Sequence, residues 1–211
     1  MKIYKDVILK FYKKLFNLRY HWEMSIPERR MFKKNIKNSK NYLEFGSGGS
    51  TIFALKNSKA AIKSVDSSKE WFDHMIKEHQ EIRDGIKDKR LDFIFVDIGE
   101  TVAWGTPKDD SGKSNYPNYS ASVFKNKKIK YDTVLIDGRF RVACGLQTVL
   151  NCDDDTIIMI HDFWNRPWYH ILLNYIKPIG KAGTMGVFKK IKHIDKDQLL
   201  RDYEKFKFIC N

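Results

Sequence analysis

Short runs of apolar residues recur along the chain, and segments with helical spacing separate them. The runs are rich in β-branched and aromatic side chains, which favour strands buried on both faces of a sheet. We predict strands at about 42–45, 61–65, 91–97, 132–137 and 156–162, with a late strand within 184–191. The segments predicted as helices are 49–58, 68–86, 139–150, 168–176 and 197–208. This alternation predicts an α/β fold with a doubly wound, mostly parallel sheet and helices on both faces.

Two further segments precede the first strand. Residues 1–24 are basic, and their apolar residues recur at helical spacing. We expect this segment to pack on the domain or to gate its cleft; peripheral contact with an anionic membrane surface is the alternative. Ser25 and Glu28 have the spacing of a capping box for a helix over 26–37. At 211 residues the chain is expected to form a single domain, with 1–40 as a helical extension.

The segment Asn41 to Thr51 reads NYLEFGSGGST, a short strand followed directly by glycines and a helical run. A strand, a glycine turn and a helix N-terminus together form a binding site for a nucleotide-containing cofactor. We predict cofactor contacts from these residues: Glu44, Gly46, Ser47, Gly48, Ser50 and Thr51. Asp66 ends the next strand, where an acid binds ribose hydroxyls. A purely structural turn is the alternative. Thr51 stands where the nicotinamide fingerprint requires its third glycine, so that fingerprint is absent.

The pattern acid-x-Gly-x-Gly, formed by Glu44, Gly46 and Gly48, resembles motif I of the class I S-adenosylmethionine-dependent methyltransferases. The segments LEFGSGGST, WGTP, LIDGRFRVACGL, IHDFWNRPWY and GTMGVF are together similar to small bacterial methyltransferase-like proteins associated with surface-glycan genes. The resemblance implies a Rossmann-like methyltransferase fold and S-adenosylmethionine as the cofactor. It also implies that Asp97, after the third strand, lies near the adenine.

Acidic residues also end the fourth and fifth predicted strands, where they would meet in one crevice with Asp66. Candidate catalytic residues are Asp137, His161 and Asp162, with Asp162 preferred as general base or acceptor-orienting group. Asp137 is also a candidate cofactor contact. For an anionic or sugar acceptor we predict contacts from these side chains: Trp104, Arg139, Arg141, Arg166 and Tyr169. The alternative for the two arginines after Asp137 is a salt-bridged helix start.

The longest irregular stretch covers residues 98–120 and contains Trp104, Tyr116 and Tyr119. It leaves from the ligand edge of the sheet because it follows the third strand. We interpret it as a lid over cofactor or substrate, with a surface loop as the alternative.

Asp137 and Asp162 are also similar in placement to the metal-binding acids of catechol-type O-methyltransferases. Those enzymes usually have Asn directly after the second acid, and this chain has Phe163. We therefore expect no metal ligands, and Mg²⁺ dependence is the less favoured alternative.

The formal charge is +13 and the pI about 9.5, a balance that favours binding to nucleic acid or to an anionic membrane. The lysines are scattered along the chain, so we regard specific nucleic-acid binding as the weaker hypothesis. No run of about 18 apolar residues is present, so no membrane-spanning helix is expected. The three cysteines are odd in number and lack metal-finger spacing, which is typical of reduced thiols, so a cytoplasmic location is expected.

These observations lead to one expected function and two alternatives. The expectation is a methyltransferase that acts on an oxygen of a small-molecule or glycan acceptor. The alternatives are a non-catalytic nucleotide-binding member of the fold and a nucleic-acid methyltransferase. The amino-methylating kind of the latter would carry Asn/Asp-Pro-Pro-aromatic after the fourth strand, where this chain has Asp137-Gly138-Arg139-Phe140.

Overall fold

A computed structural model describes residues 22–125 and 129–210 of the chain. Most of the segment 1–24 therefore lies outside the described residues. The α-helices are α1 Ile26–Ile36, α2 Gly49–Asn57, α3 Lys69–Glu78, α4 Gln80–Lys87, α5 Tyr116–Ala121, α6 Arg141–Asn151 and α7 Lys196–Phe206. The strands are β1 Asn41–Phe45, β2 Ala61–Asp66, β3 Leu91–Phe95, β4 Thr133–Ile136, β5 Ile157–Ile160, β6 Ile176–Ala182 and β7 Met185–Lys190.

The strands form one sheet in the order β3-β2-β1-β4-β5-β7-β6. Strands β1 to β5 are parallel, and β7 pairs antiparallel with both β5 and β6. The doubly wound, mostly parallel sheet predicted from the sequence is confirmed. The chain leaves β1 toward β2 on one side and returns to β4 on the other, so a crevice opens at the carboxyl ends of β1 and β4.

The two faces of the sheet carry separate apolar clusters because side chains alternate along each strand. Leu43 and Phe45 of β1 face the cluster that includes α5, α6 and α7. Tyr42 faces the opposite cluster, to which α1 contributes Phe32 and Ile36. Helix α1 is thus part of the core.

The segment predicted as one helix over 68–86 is two helices, a correction to the sequence-based prediction. The break lies at His79, whose backbone is extended (φ −119°, ψ 114°). It lets α4 bury Ile82 against the core. Arg83 donates to the carbonyl groups of Ile76 (2.6 Å) and Lys77 (2.7 Å), which satisfies acceptors that the end of α3 leaves open.

Two other predicted elements differ from the structure. Pro167–Asn174 forms a 3₁₀-helix where an α-helix over 168–176 is predicted, and the strand β6 follows it unpredicted. In the stretch 98–120, Tyr116 and Tyr119 are buried in the core (3% and 1% exposed), so they do not belong to a lid. They pack against Phe140 because α5 lies beside α6.

None of the helices in the described part of the chain is long and apolar enough to cross a membrane.

Candidate active site

The glycine turn joins β1 to α2 at the crevice. Gly46 has a left-handed backbone (φ +98°), and a Cβ there would lie 2.7 Å from the Cα of Gly138. This close approach joins the end of β1 to the end of β4 and leaves no room for a side chain. Gly48 is different, since a Cβ there would meet no atom of the described residues within 4 Å. The space for a ligand therefore lies over Gly48.

The carboxylate of Glu44 lies beneath the turn and is fully buried. It accepts hydrogen bonds from four hydroxyl groups: Tyr42 (2.9 Å), Ser50 (2.8 Å), Ser64 (2.8 Å) and Thr51. Burial raises the pKa of Glu44 to about 7, against the opposing effect of these hydrogen bonds. The structure thus places Glu44, Ser50 and Thr51 in a buried cluster that holds the turn and the start of α2 in place.

Asp66 lies beside the turn at the end of β2. Its carboxylate accepts hydrogen bonds from the backbone N–H groups of Ser47 (2.8 Å), Ser67 (2.7 Å) and Ser68 (3.1 Å). Burial raises its pKa in spite of these bonds. Ser47 also accepts from the indole of Trp71 through its carbonyl group (2.8 Å). The turn and Asp66 therefore form one rigid unit at the crevice, as the sequence spacing predicts.

The stretch after β3 contributes less to this unit than predicted. Asp97 is exposed, lies two residues beyond the end of β3, and accepts from the N–H of Gly99 (2.9 Å). Trp104 is 73% exposed and has a left-handed backbone (φ +64°). Its neighbour Gly105 lies beside Asp66, because a Cβ on Gly105 would be 3.2 Å from Ser67 Oγ. The segment that carries Trp104 and Gly105 thus borders the Asp66 end of the crevice.

A second cluster forms where β4 and β5 end. His161 is 7% exposed, and its Nδ1 lies 2.9 Å from Asp137 Oδ1. Its Nε2 lies 3.7 Å from Glu28 Oε2, a carboxylate on α1. Burial lowers the pKa of His161, but the hydrogen bond and charge of Asp137 outweigh burial and the net pKa is raised. The pKa of Asp137 is lowered, since the His161 bond and the Arg141 charge outweigh its burial.

Asp162 follows directly with a left-handed backbone (φ +58°). Its Oδ2 accepts from Arg166 (3.0 Å) and Arg141 (3.4 Å), and its Oδ1 accepts from Thr184 Oγ1 (3.3 Å). The cluster as a whole pairs three carboxylates with two guanidinium groups and the imidazole. Its members are Glu28, Asp137, Asp162, Arg141, Arg166 and His161.

Two predicted acceptor contacts are corrected by this geometry. Arg141 is 4% exposed and donates to the carbonyl groups of Asp137, Gly138 and His161 as well as to the acids. Arg141 therefore forms salt bridges at the start of α6, which is the alternative interpretation given from the sequence. Tyr169 is fully buried in the core, and its hydroxyl accepts a hydrogen bond from Arg166 (3.1 Å), so its ring is not exposed for contact with a sugar acceptor.

The sequence predicts Glu28 only as a helix-capping residue, and in the structure Glu28 also links α1 to the turn between β6 and β7. Its Oε2 accepts from Ser25 N (2.7 Å) and Oγ (2.6 Å), which confirms the local interaction. Its Oε1 accepts from Thr184 N (2.9 Å) and Oγ1 (2.8 Å) on the turn between β6 and β7. No sequence signal joins residues 156 positions apart, so neither this link nor Thr184 was predicted.

The acids at the ends of β4 and β5 show no arrangement for a metal ion. In the parts of the chain that the structure describes, no group of three or more His, Cys, Asp or Glu side chains is placed to hold one. Asp137 and Asp162 are instead engaged with His161, Arg141 and Arg166.

The crevice fits an adenosyl cofactor on its own geometry. Gly48 offers backbone that a ligand can approach, the N-terminus of α2 directs its first backbone N–H groups toward this space, and Asp66 presents a carboxylate at the next strand end. A carboxylate at this position suits ribose hydroxyls.

Solved structures with a similar fold are known. The chain is similar to a methyltransferase-like protein from Silicibacter pomeroyi at 25% identity and a TM-score of 0.76, covering 90% of this chain and 98% of that one. It shares the fold of an O-methyltransferase from Bacillus cereus solved in complex with SAH at 13% identity and a TM-score of 0.52, covering 80% and 83%. No protein-family model matches the chain, and no curated protein does.

The sheet order, the glycine turn and these neighbours define a protein with the class I methyltransferase fold. The chain is similar to class I S-adenosylmethionine-dependent methyltransferase-like proteins, the resemblance that its acid-x-Gly-x-Gly segment indicates.

Proposed function

We propose that this protein transfers a methyl group from S-adenosylmethionine to an oxygen of a small-molecule or glycan acceptor. The observation that carries the proposal is the unit formed by the glycine turn and Asp66, with open space over Gly48. Bound S-adenosylmethionine would supply an electrophilic methyl group on a sulfonium. Asp66 would hold the ribose hydroxyls, and the backbone at Gly48 and the start of α2 would hold the remainder of the cofactor.

Asp162 is the residue we assign to the acceptor hydroxyl. It lies past β5 on the crevice side, and the partners on Arg141, Arg166 and Thr184 fix its orientation. A fixed carboxylate can accept the hydrogen bond of an attacking hydroxyl and take its proton as the new bond forms. His161 suits this task less well, because its Nδ1 lies 2.9 Å from Asp137 Oδ1 and its Nε2 lies 3.7 Å from Glu28 Oε2, so both ring nitrogens already face carboxylates of the protein. We assign it to holding Asp137 in place.

The proposal of a glycan or other hydroxylated acceptor draws support from side chains near this cluster. Arg166 is partly exposed, and Trp168 beside it is 54% exposed. Arginine and tryptophan together form a surface on which a sugar ring can stack and accept hydrogen bonds.

Calorimetry with the purified chain tests the cofactor. S-adenosylmethionine and S-adenosylhomocysteine should bind, and NAD should not. Binding of NAD without either adenosyl compound would exclude the proposed cofactor.

A screen with methyl-labelled S-adenosylmethionine tests the acceptor. The panel should contain sugars, nucleotide sugars, catechols and total RNA. Label on an oxygen of a sugar or small molecule supports the proposal, and label confined to RNA replaces it with the nucleic-acid alternative.

A further inference from the structure

Arg139 lies in the loop between β4 and α6, three residues after β4 ends. Its backbone N–H donates to the hydroxyl of Tyr119 (3.3 Å), and its carbonyl group accepts from Cys144 Sγ (3.5 Å). Gly138, just before it, lies against Gly46. The backbone of Arg139 is therefore held at the switch point of the sheet, beside the proposed cofactor site.

The guanidinium of Arg139 has no hydrogen-bond or ion-pair partner among the described residues. Its Nε is buried and unsatisfied. Arg141, two residues later, is the opposite case, since all three of its side-chain nitrogens donate to protein oxygens. A buried N–H without an acceptor is destabilising, and a bound ligand that supplies an acceptor nearby would offset this cost.

Two carboxylates, those of Asp66 and Asp137, lie near Arg139. Burial acts to raise the pKa of each, and the charge of Arg139 acts in the opposite direction. Asp66 accepts from three backbone N–H groups. In Asp137, His161 and Arg141 both contact Oδ1, whereas Oδ2 contacts no donor in the described part of the chain.

In the described part of the chain, a guanidinium without a partner thus lies near Asp66, the acid assigned to the ribose, and near Asp137, which has one oxygen without a donor. That pairing is complementary to a zwitterionic amino acid attached to a nucleoside.

We propose that Arg139 binds the carboxylate of the methionine moiety of S-adenosylmethionine, while Asp137 Oδ2 faces its ammonium group. This inference rests on the proposed function. Arg139 then serves the cofactor, and the anion-binding role predicted for it toward the acceptor does not apply. Arg141 positions the loop that carries both groups.

Decarboxylated S-adenosylmethionine, which lacks only the carboxylate, gives the direct test by calorimetry on the full chain. The wild type should prefer S-adenosylmethionine by roughly 10- to 150-fold, the range of one charge-assisted interaction. Arg139→Gln should bind both compounds within about threefold of each other and should bind the decarboxylated compound as the wild type does. Arg201→Gln is the matched control, because Arg201 is exposed on α7 and its side chain donates to Gln198 Oε1 on the same helix. This variant should keep the wild-type preference.

Each remaining outcome contradicts a stated step. An unchanged preference in Arg139→Gln shows that Arg139 does not hold the carboxylate. An equal loss for both compounds, together with a lower unfolding temperature, assigns Arg139 to packing. Unchanged cofactor binding with a raised KM for an acceptor assigns the anion to the acceptor. Failure of the wild type to bind any adenosyl compound refutes the proposed function itself, which the other outcomes leave standing.

Discussion

Replacement of Glu28 by Gln should destabilise the protein in a pH-dependent manner. Glu28 is 3% exposed, and its two oxygens accept from Ser25 and Thr184. Burial alone would raise its pKa, but these hydrogen bonds lower it from 4.5 to about 2. A shift of that size corresponds to about 3 kcal/mol of folding free energy, since one pKa unit is about 1.4 kcal/mol. The amide of Gln also places its own N–H groups against the Ser25 or Thr184 donors, whose hydrogen bonds the carboxylate accepts.

The sign of the pH effect follows from the lowered pKa. The stabilisation is complete above the unfolded-state pKa near 4.5 and is lost as the pH falls through about 2. Urea unfolding at pH 7 should therefore show a deficit of about 3 kcal/mol for Glu28→Gln, and this deficit should shrink between pH 4.5 and pH 2. For a chain of this length the loss corresponds to a fall in unfolding temperature of roughly 6–12 °C.

Glu70→Gln provides the matched control, because Glu70 is exposed in the first turn of α3 and should change stability by less than about 1 kcal/mol. A Glu28→Gln deficit that is small, or that stays constant down to pH 2, would refute the reasoning from the charge of Glu28.

Three further predictions concern the crevice. Gly46→Ala should lower the unfolding temperature, because its methyl group would lie 2.7 Å from Gly138 Cα and the backbone there has φ +98°. Gly48→Ala should fold normally but weaken S-adenosylhomocysteine binding at least about tenfold, because its methyl group would enter the space for the ligand. Equal effects of the two variants on the unfolding temperature would contradict this difference between the two glycines. Asp66→Ala should weaken the same binding roughly 10- to 150-fold in calorimetry, and an unchanged dissociation constant in a folded variant would remove Asp66 from the site. Asp162→Asn should lower turnover on a verified acceptor by roughly 10²–10⁴-fold with cofactor affinity retained, and full activity of this variant would exclude the assigned role. EDTA should leave the wild-type rate unchanged. A loss of activity that Mg²⁺ restores would establish the metal-dependent alternative.

The sequence by itself determined the layered fold and the placement of the glycine turn beside Asp66. Buried parallel strands must be apolar throughout, so they stand out as short runs, and the order of strands and helices then restricts the topology. The turn of Gly46 and Gly48 and the acid at Asp66 are readable because they are local patterns at fixed distances from a strand end.

Only the tertiary structure decided which charged residues are free to act. Arg139 and Arg141 are equivalent in sequence, yet packing buries Arg141 among carbonyl groups and leaves the Arg139 guanidinium without a partner in the described residues. The bond from Thr184 to Glu28 spans 156 positions and depends on how α1 meets the β6–β7 turn. Such contacts depend on the distances between elements after folding, whereas sequence periodicity reports only which face of its own element a residue occupies.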